Sequence, residues 1–278
     1  MDPRVEVVNL AVDGYSMAQA YLRYLSVRNH LEYNDVVMMF VPGDDLWRDI
    51  NTIRDLAAGW HTFIVQPRFV IENGDLKLVP SPYADPLDVF LDNREMLSEQ
   101  LRNHLRRYDR FYFRSLYESP PLIGRLWTYK MYASIYGNNA KEALLRGLMW
   151  PDSEAMQVSH KIFSAMQEQT ERLGSKFALL VLPTSGDLSK FRADPKYPEV
   201  WKAMTKFICA DIKVCLDLAR PLRTMPLTEI DFGYDRSHYG PRANRQIAEA
   251  IFDEFIRRRY QGTSVMPPRH ETAKQLGH

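Results

Sequence analysis

An acid and an imidazole stand three residues apart in the stretch Asp235-Arg236-Ser237-His238-Tyr239-Gly240-Pro241. An Asp that holds a His ring in one tautomer and stabilises its imidazolium prepares that His to act as a general base. A solvated turn whose Asp merely caps the next helix uses the same residue types, so groups elsewhere in the chain decide between the two. Three further polar turns follow apolar runs: Asp13-Gly14-Tyr15, Gly43-Asp44-Asp45-Leu46 and Pro183-Thr184-Ser185. Ligands of open α/β sheets sit beyond the carboxyl ends of the strands, which makes these turns candidate walls of a site.

The elements that must position these groups can be read from periodicity. Val5–Val12, Asp35–Val41, Phe177–Leu182 and Lys213–Leu218 read as buried strands. Helices are predicted after Ser16, from Leu46 to about Leu56, from Ser153 to Leu173 with Gly174 as the stop, and from Glu199 to Ala210. The last helix starts at Pro241 and repeats Ile247, Ile251 and Phe255 at a helical spacing. Strands alternating with helices argue for parallel pairing with helical crossovers. Arg68–Ile71 and Leu76–Val79 flank Asn73-Gly74, a hairpin signal. Residues 93–117 read as polar helix, and Trp127–Tyr136 as a short helix. The pattern predicts one domain over residues 1–262, with 68–150 inserted as a cap and 263–278 as a loose tail.

Composition narrows the function classes. Lys and Arg total 36 against 35 Asp and Glu, which gives no overall case for nucleic acid or an anionic membrane. Arg102, Arg106, Arg107 and Arg110 lie among aromatics such as Tyr108 and Phe111, but solvated arginines on a docked helix fit a neutral chain better than a single-strand groove. No apolar run is long enough for a membrane span, and Met1-Asp2-Pro3-Arg4 leads directly into an apolar run without a signal peptide. Cys209 and Cys215 are not a C-x-x-C pair and are expected as buried thiols. His30, His61, His104 and His160 show no ligand spacing, so no metal and no cofactor are expected. A Gly-rich phosphate loop is also missing after every predicted strand, which weighs against a nucleotide-binding flavodoxin-like protein.

Taken together, Val7-x-Asn9-x-Ala11-x-x-Gly14-Tyr15, Asp35-Val36-Val37 leading to Gly43-Asp44-Asp45-Leu46, and Asp235-x-x-His238 before a helix resemble the SGNH/GDSL hydrolase family. The resemblance runs from Val5 to about Phe255, hairpin included. It implies a flavodoxin-like α/β/α three-layer sandwich with a mainly parallel sheet of order 2-1-3-4-5. It also implies metal-free esterase, lipase, O-acetyl esterase or O-acyltransferase chemistry on a small-molecule or carbohydrate ester. By that resemblance His238 is the base, Asp235 orients it, and Gly14 helps form the oxyanion hole. Asp44 stands where the family has an amide-bearing asparagine. An ionised carboxylate cannot donate to an oxyanion, so this position departs from the pattern.

The family's Gly-Asp-Ser nucleophile block and its strand have no counterpart here. Ser16 follows Gly14 and reads as a helix cap, while Ser185-Gly186-Asp187 fits a late loop. The absent strand would lie between the runs that begin at Val5 and Asp35. Its loss leaves rows of unpaired backbone groups or forces those runs to pair directly. The expectation is therefore a chain shortened at its N-terminus, acting on esters when complete. The alternative is a catalytically inactive SGNH-like binding domain. Trp127, Tyr129, Tyr132 and Tyr136 suggest an apolar or sugar-stacking wall on the inserted segment. The sequence assigns neither a compartment nor an oligomeric state.

Overall fold

The computed structural model describes residues 6–58, 65–83, 98–118, 120, 122–226, 230 and 238–253. Its contacts divide the chain into two units, Met1–Asp217 and Leu218–His278, each taken by itself below.

From residue 6 to residue 13 the first unit is irregular and mostly exposed. Val7 and Val8 are 68% and 60% exposed, and the expected strand over Val5–Val12 does not form among the described residues. A strand needs a partner to take its backbone groups. Here the Asn9 side chain instead accepts a hydrogen bond from the Ala11 N–H, and Arg23 donates to the Leu10 carbonyl. The helix α1 (Met17–Val27) follows, with Ser16 as its cap. Ser16 Oγ accepts from the Gln19 N–H and Gln19 Oε1 accepts from the Ser16 N–H, a reciprocal capping box.

The strand β1 (Asp35–Phe40) runs into α2 (Pro42–Asp49), with Pro42 at the first helical position. This helix begins four residues before the expected Leu46, because Pro42 suits a first turn and Asp44 and Asp45 complement its dipole. The short helix α3 (Arg54–Ala58) comes next, followed by the hairpin strands β2 (Arg68–Glu72) and β3 (Asp75–Val79). Asn73 and Gly74 both have positive φ, 55° and 86°, as a two-residue turn of this hand requires. Four helical pieces follow: α4 (Glu99–Tyr108), the single turn α5 (Arg114–Tyr117), a 3-10 turn at Ile123–Arg125, and α6 (Trp127–Gly147). The last continues eleven residues past the expected end at Tyr136, since Asn138 through Gly147 contain no breaker until the glycine.

The helix α7 (Glu154–Arg172) is the centre of the unit. Ser153 caps it and Gly174, at φ 78°, ends it. Met156, Val158, Ile162 and Phe163 are fully buried, and each such side chain contributes about 1.5–3 kcal/mol. Phe163 packs edge-on against Phe40 of β1, with ring centroids 5.1 Å apart. The strand β4 (Lys176–Val181) is buried at every position after Lys176, as a strand covered on both faces must be. The helices α8 (Ser185–Ala193) and α9 (Tyr197–Ile208) and the strand β5 (Cys215–Asp217) complete the unit. The expected loop at Ser185–Asp187 is the first turn of α8, because Thr184 caps it.

The sheet is parallel, in the order β1-β4-β5, with Asp35 opposite Lys176 and Phe40 opposite Val181. Among the described residues β1 is an edge strand, and its Val37 and Met39 are exposed. The chain is thus an α/β protein with a small parallel sheet and an antiparallel hairpin. The hairpin packs on α1 and α7, for instance Phe69 against Tyr21 at 5.7 Å.

One expectation about covalent structure is overturned. Cys209 and Cys215 are joined in a disulfide and are not free thiols. The turn between α9 and β5 brings their Cα atoms to 5.7 Å, within bridging distance, although their spacing is not that of a C-x-x-C motif.

The second unit holds α10 (Ala219–Arg223) and α11 (Pro241–Ile251), which pack on each other. Ala243 and Ile247 are the buried positions of α11. Phe255 and the tail from 263 lie outside the described residues.

Candidate functional site

The carboxyl ends of β1 and β4 lie side by side. After β1 the chain turns through Val41-Pro42-Gly43 into α2, and after β4 it turns through Pro183-Thr184-Ser185 into α8. The two turns are in van der Waals contact. A β-carbon placed on Gly43 would sit 2.9 Å from Thr184 Cγ2 and 3.2 Å from Asp187 Oδ2. Glycine is needed here for close approach, with no demand on φ. Asp187 holds the other side of the contact. Its Oδ2 accepts from the Thr184 N–H and hydroxyl, and its Oδ1 accepts from the Tyr197 hydroxyl at 2.6 Å. Ser185, the reversed echo of a nucleophile motif, is the first residue of α8 beside this brace.

Asp44 is exposed at the start of α2, and its backbone N–H is already donated to the Val41 carbonyl at 2.9 Å. Its neighbour Asp45 turns inward, where Oδ2 accepts from the Val41 N–H at 2.7 Å. Burial pushes the Asp45 carboxyl well above its usual range, only partly opposed by that N–H. One turn on, Asp49 is fully buried. Its Oδ1 accepts from the Ala18 N–H at 3.0 Å and its Oδ2 from the Ser159 hydroxyl at 2.9 Å. Burial raises Asp49 to about 6, with the Ala18 N–H, the Ser159 hydroxyl and the Ser16 hydroxyl pulling the other way. Asp49 therefore ties the start of α1 to α2 and α7.

Gly14 has φ 69°, and the Tyr15 N–H closes a turn onto the Val12 carbonyl at 3.2 Å. In this left-handed region a side chain is strained, and the space is taken as well. A β-carbon on Gly14 would lie 2.3 Å from Arg54 Nη1. The guanidinium is thus packed against the turn, and its charge is held less firmly than usual because burial lowers its pKa. Arg54 was not expected at the site. It stands forty residues after Gly14, on a short helix without any motif around it, and only the fold brings it there. Ser16, two residues beyond Gly14, is buried and committed to its capping box, so it is no nucleophile.

His238 lies in the second unit and is exposed. It precedes Tyr239 and Gly240, the cap residue of α11, and the Asn244 side chain donates to the Tyr239 carbonyl at 2.9 Å. In the same unit, Met225, Pro241, Arg242, Arg245 and Gln246 line an open groove of about 490 Å³. Asp235 lies outside the described residues. The structure thus gathers the β1 and β4 turns, sets Gly14 against Arg54 and puts His238 at the head of α11.

Among the described residues no group of three or more His, Cys, Asp or Glu side chains could hold a metal ion. No helix among them is long and apolar enough to cross a membrane. Comparisons with protein-family models, with curated proteins and with solved structures returned no match.

Proposed function

We propose that the chain is an SGNH/GDSL-type α/β scaffold for ester chemistry, hydrolysis or O-acyl transfer, with His238 as general base and Asp235 as its orienter. The observation that carries this reading is His238 itself, exposed at the head of α11 and followed by Gly240 and Pro241. The open parallel sheet supports it, because its strand ends present the turns at Gly43 and Thr184 where ligands of such sheets bind. The Gly14 N–H is the oxyanion donor that the family resemblance implies, a role proposed for its own unit alone. Arg54 adds a positive charge at the same turn, the sign an oxyanion needs. The 278 residues include no Gly-Asp-Ser block. Without the family's nucleophile block, the nucleophile assigned to His238 in this reading is water. Hydrolysis of p-nitrophenyl acetate by wild type and by His238→Ala tests the reading.

One observation favours a second reading, a catalytically inactive SGNH-like binding domain. Asp44 brings an acceptor where an oxyanion needs a donor, and its own N–H is spent on Val41. Under this reading an ester binds without turnover and His238→Ala changes no rate.

A further inference from the structure

The helix α6 has two apolar sides. One packs on α5 through small residues, Ala133 and Gly137. A β-carbon on Gly137 would come within 2.4 Å of the Leu116 side chain, so Leu116 packs directly onto the Gly137 backbone. On the opposite side Trp127, Met131 and Ile135 follow one another at intervals of four, next to the stacked pair Tyr132 and Tyr136. All five are exposed, Trp127 by 75%, and Leu122 just before the helix by 88%. Single exposed apolar residues need no explanation, but a contiguous aromatic and aliphatic surface does.

Charge selects the occupant. From Pro120 to Lys141 the chain carries Arg125, Lys130 and Lys141 and no acidic residue. The whole molecule is near neutral, so this arm is a local positive patch around an apolar one. Trp and Tyr have an apolar body with a polar tip, and Lys can extend its ammonium while its stem stays in apolar surroundings. This combination matches the boundary between lipid headgroups and acyl chains, with the cations facing anionic headgroups.

We propose that the 3-10 turn at Ile123–Arg125 and α6 as far as Lys141 form an interfacial docking surface for an anionic lipid bilayer, lying in its plane without spanning it. Trp127, Met131, Tyr132, Ile135 and Tyr136 enter the headgroup boundary, and Arg125, Lys130 and Lys141 face the lipid phosphates. This surface is independent of the ester chemistry and stands or falls by its own experiment.

The test is co-sedimentation of the full chain with vesicles of phosphatidylcholine alone or mixed equally with phosphatidylglycerol. Wild type is expected to bind the mixed vesicles and to be released by high salt. Trp127→Ser with Ile135→Ser should weaken binding to mixed vesicles by at least about tenfold. Lys130→Glu with Lys141→Glu should do the same for mixed vesicles while leaving any weak binding to phosphatidylcholine unchanged. Trp127, Lys130 and Ile135 are exposed and Lys141 is half-buried, so melting temperatures should move little, and Trp127→Phe provides an arm that preserves an apolar ring. Quenching of tryptophan emission by brominated acyl chains should fall in Trp127→Phe. Absence of wild-type binding, equal binding by both double variants, or equal quenching in Trp127→Phe would overturn the proposal. So would a wild-type dimer that Trp127→Ser with Ile135→Ser converts to a monomer, because that result assigns the surface to a second copy of the chain.

Discussion

Gly43 and Thr184 touch across the carboxyl ends of β1 and β4, with room for no β-carbon between them: one on Gly43 would lie 2.9 Å from Thr184 Cγ2. The two strand ends are therefore held at a distance set by a missing side chain. Gly43→Ala should overpack this contact and lower stability by about 1–2 kcal/mol. Thr184→Ser removes the opposing methyl group while keeping the hydroxyl that caps α8. Adding it to Gly43→Ala should return most of the loss. Urea denaturation of the four proteins in a double-mutant cycle measures the coupling, and strictly additive effects would show that the two residues do not press on each other.

Asp49 links acidity to stability. An unfolded Asp titrates near 4 and Asp49 in the fold near 6. The folded state thus holds the proton more tightly, so this group's contribution to stability is full below about 4 and is lost as pH rises through 6. The loss is roughly 3 kcal/mol, at 1.36 kcal/mol per unit. In Asp49→Asn the amide oxygen can still accept from the Ala18 N–H, and the amide nitrogen can donate to Ser159 Oγ. The variant should gain stability relative to wild type between pH 4 and pH 7, measured by urea denaturation across that range. A wild-type minus variant difference that stays flat with pH would contradict this assignment.

Arg68 carries a buried charge between four parts of the first unit. It is 1% exposed and donates to the carbonyls of Ile50, Phe69 and Tyr108, and to Glu154 Oε1 at 2.5 Å. Arg110 pairs with the other oxygen of Glu154. Removing one partner leaves buried polar groups uncompensated, so Arg68→Ala should cost about 3–5 kcal/mol. Arg68→Lys should recover only a part of it, since a single ammonium cannot serve these acceptors in a planar fork. Thermal or urea denaturation of both variants checks the order, and an Arg68→Ala protein as stable as wild type would exclude this role.

The contrast between what was readable and what was not follows from the range of the interactions. Ser16, Ser153, Gly174 and the Asn73-Gly74 turn could be read directly, because caps and turns are written within a few residues. The strands β1 and β4 were legible for a similar reason, being short apolar runs ended by Pro and Gly. The run after Val5 has the same composition but no partner to pair with, and no strand forms there among the described residues. Arg68 reads as the start of a hairpin, and its burial depends on carbonyls as far away as Tyr108 and on Glu154. Arg54 reaches Gly14, and Cys209 bonds Cys215, only through the way intervening turns fold back. For the proposed site, residue types and order were legible at Gly14, Asp44 and His238, while their surroundings were not. The carboxylate of Asp44 was visible as an oddity, but not the hydrogen bond that occupies its N–H.

His238 as general base is the central claim, and the direct measurement is the initial rate of p-nitrophenyl acetate hydrolysis at neutral pH. Wild type, His238→Ala and urea-unfolded wild type are compared, the last giving the background of the chain's seven imidazoles outside the fold. The account predicts a folded wild-type rate above that background and a loss in His238→Ala of about a hundredfold in the folded-state increment, the lower range for a positioned general base. Equal rates for wild type and His238→Ala would contradict it.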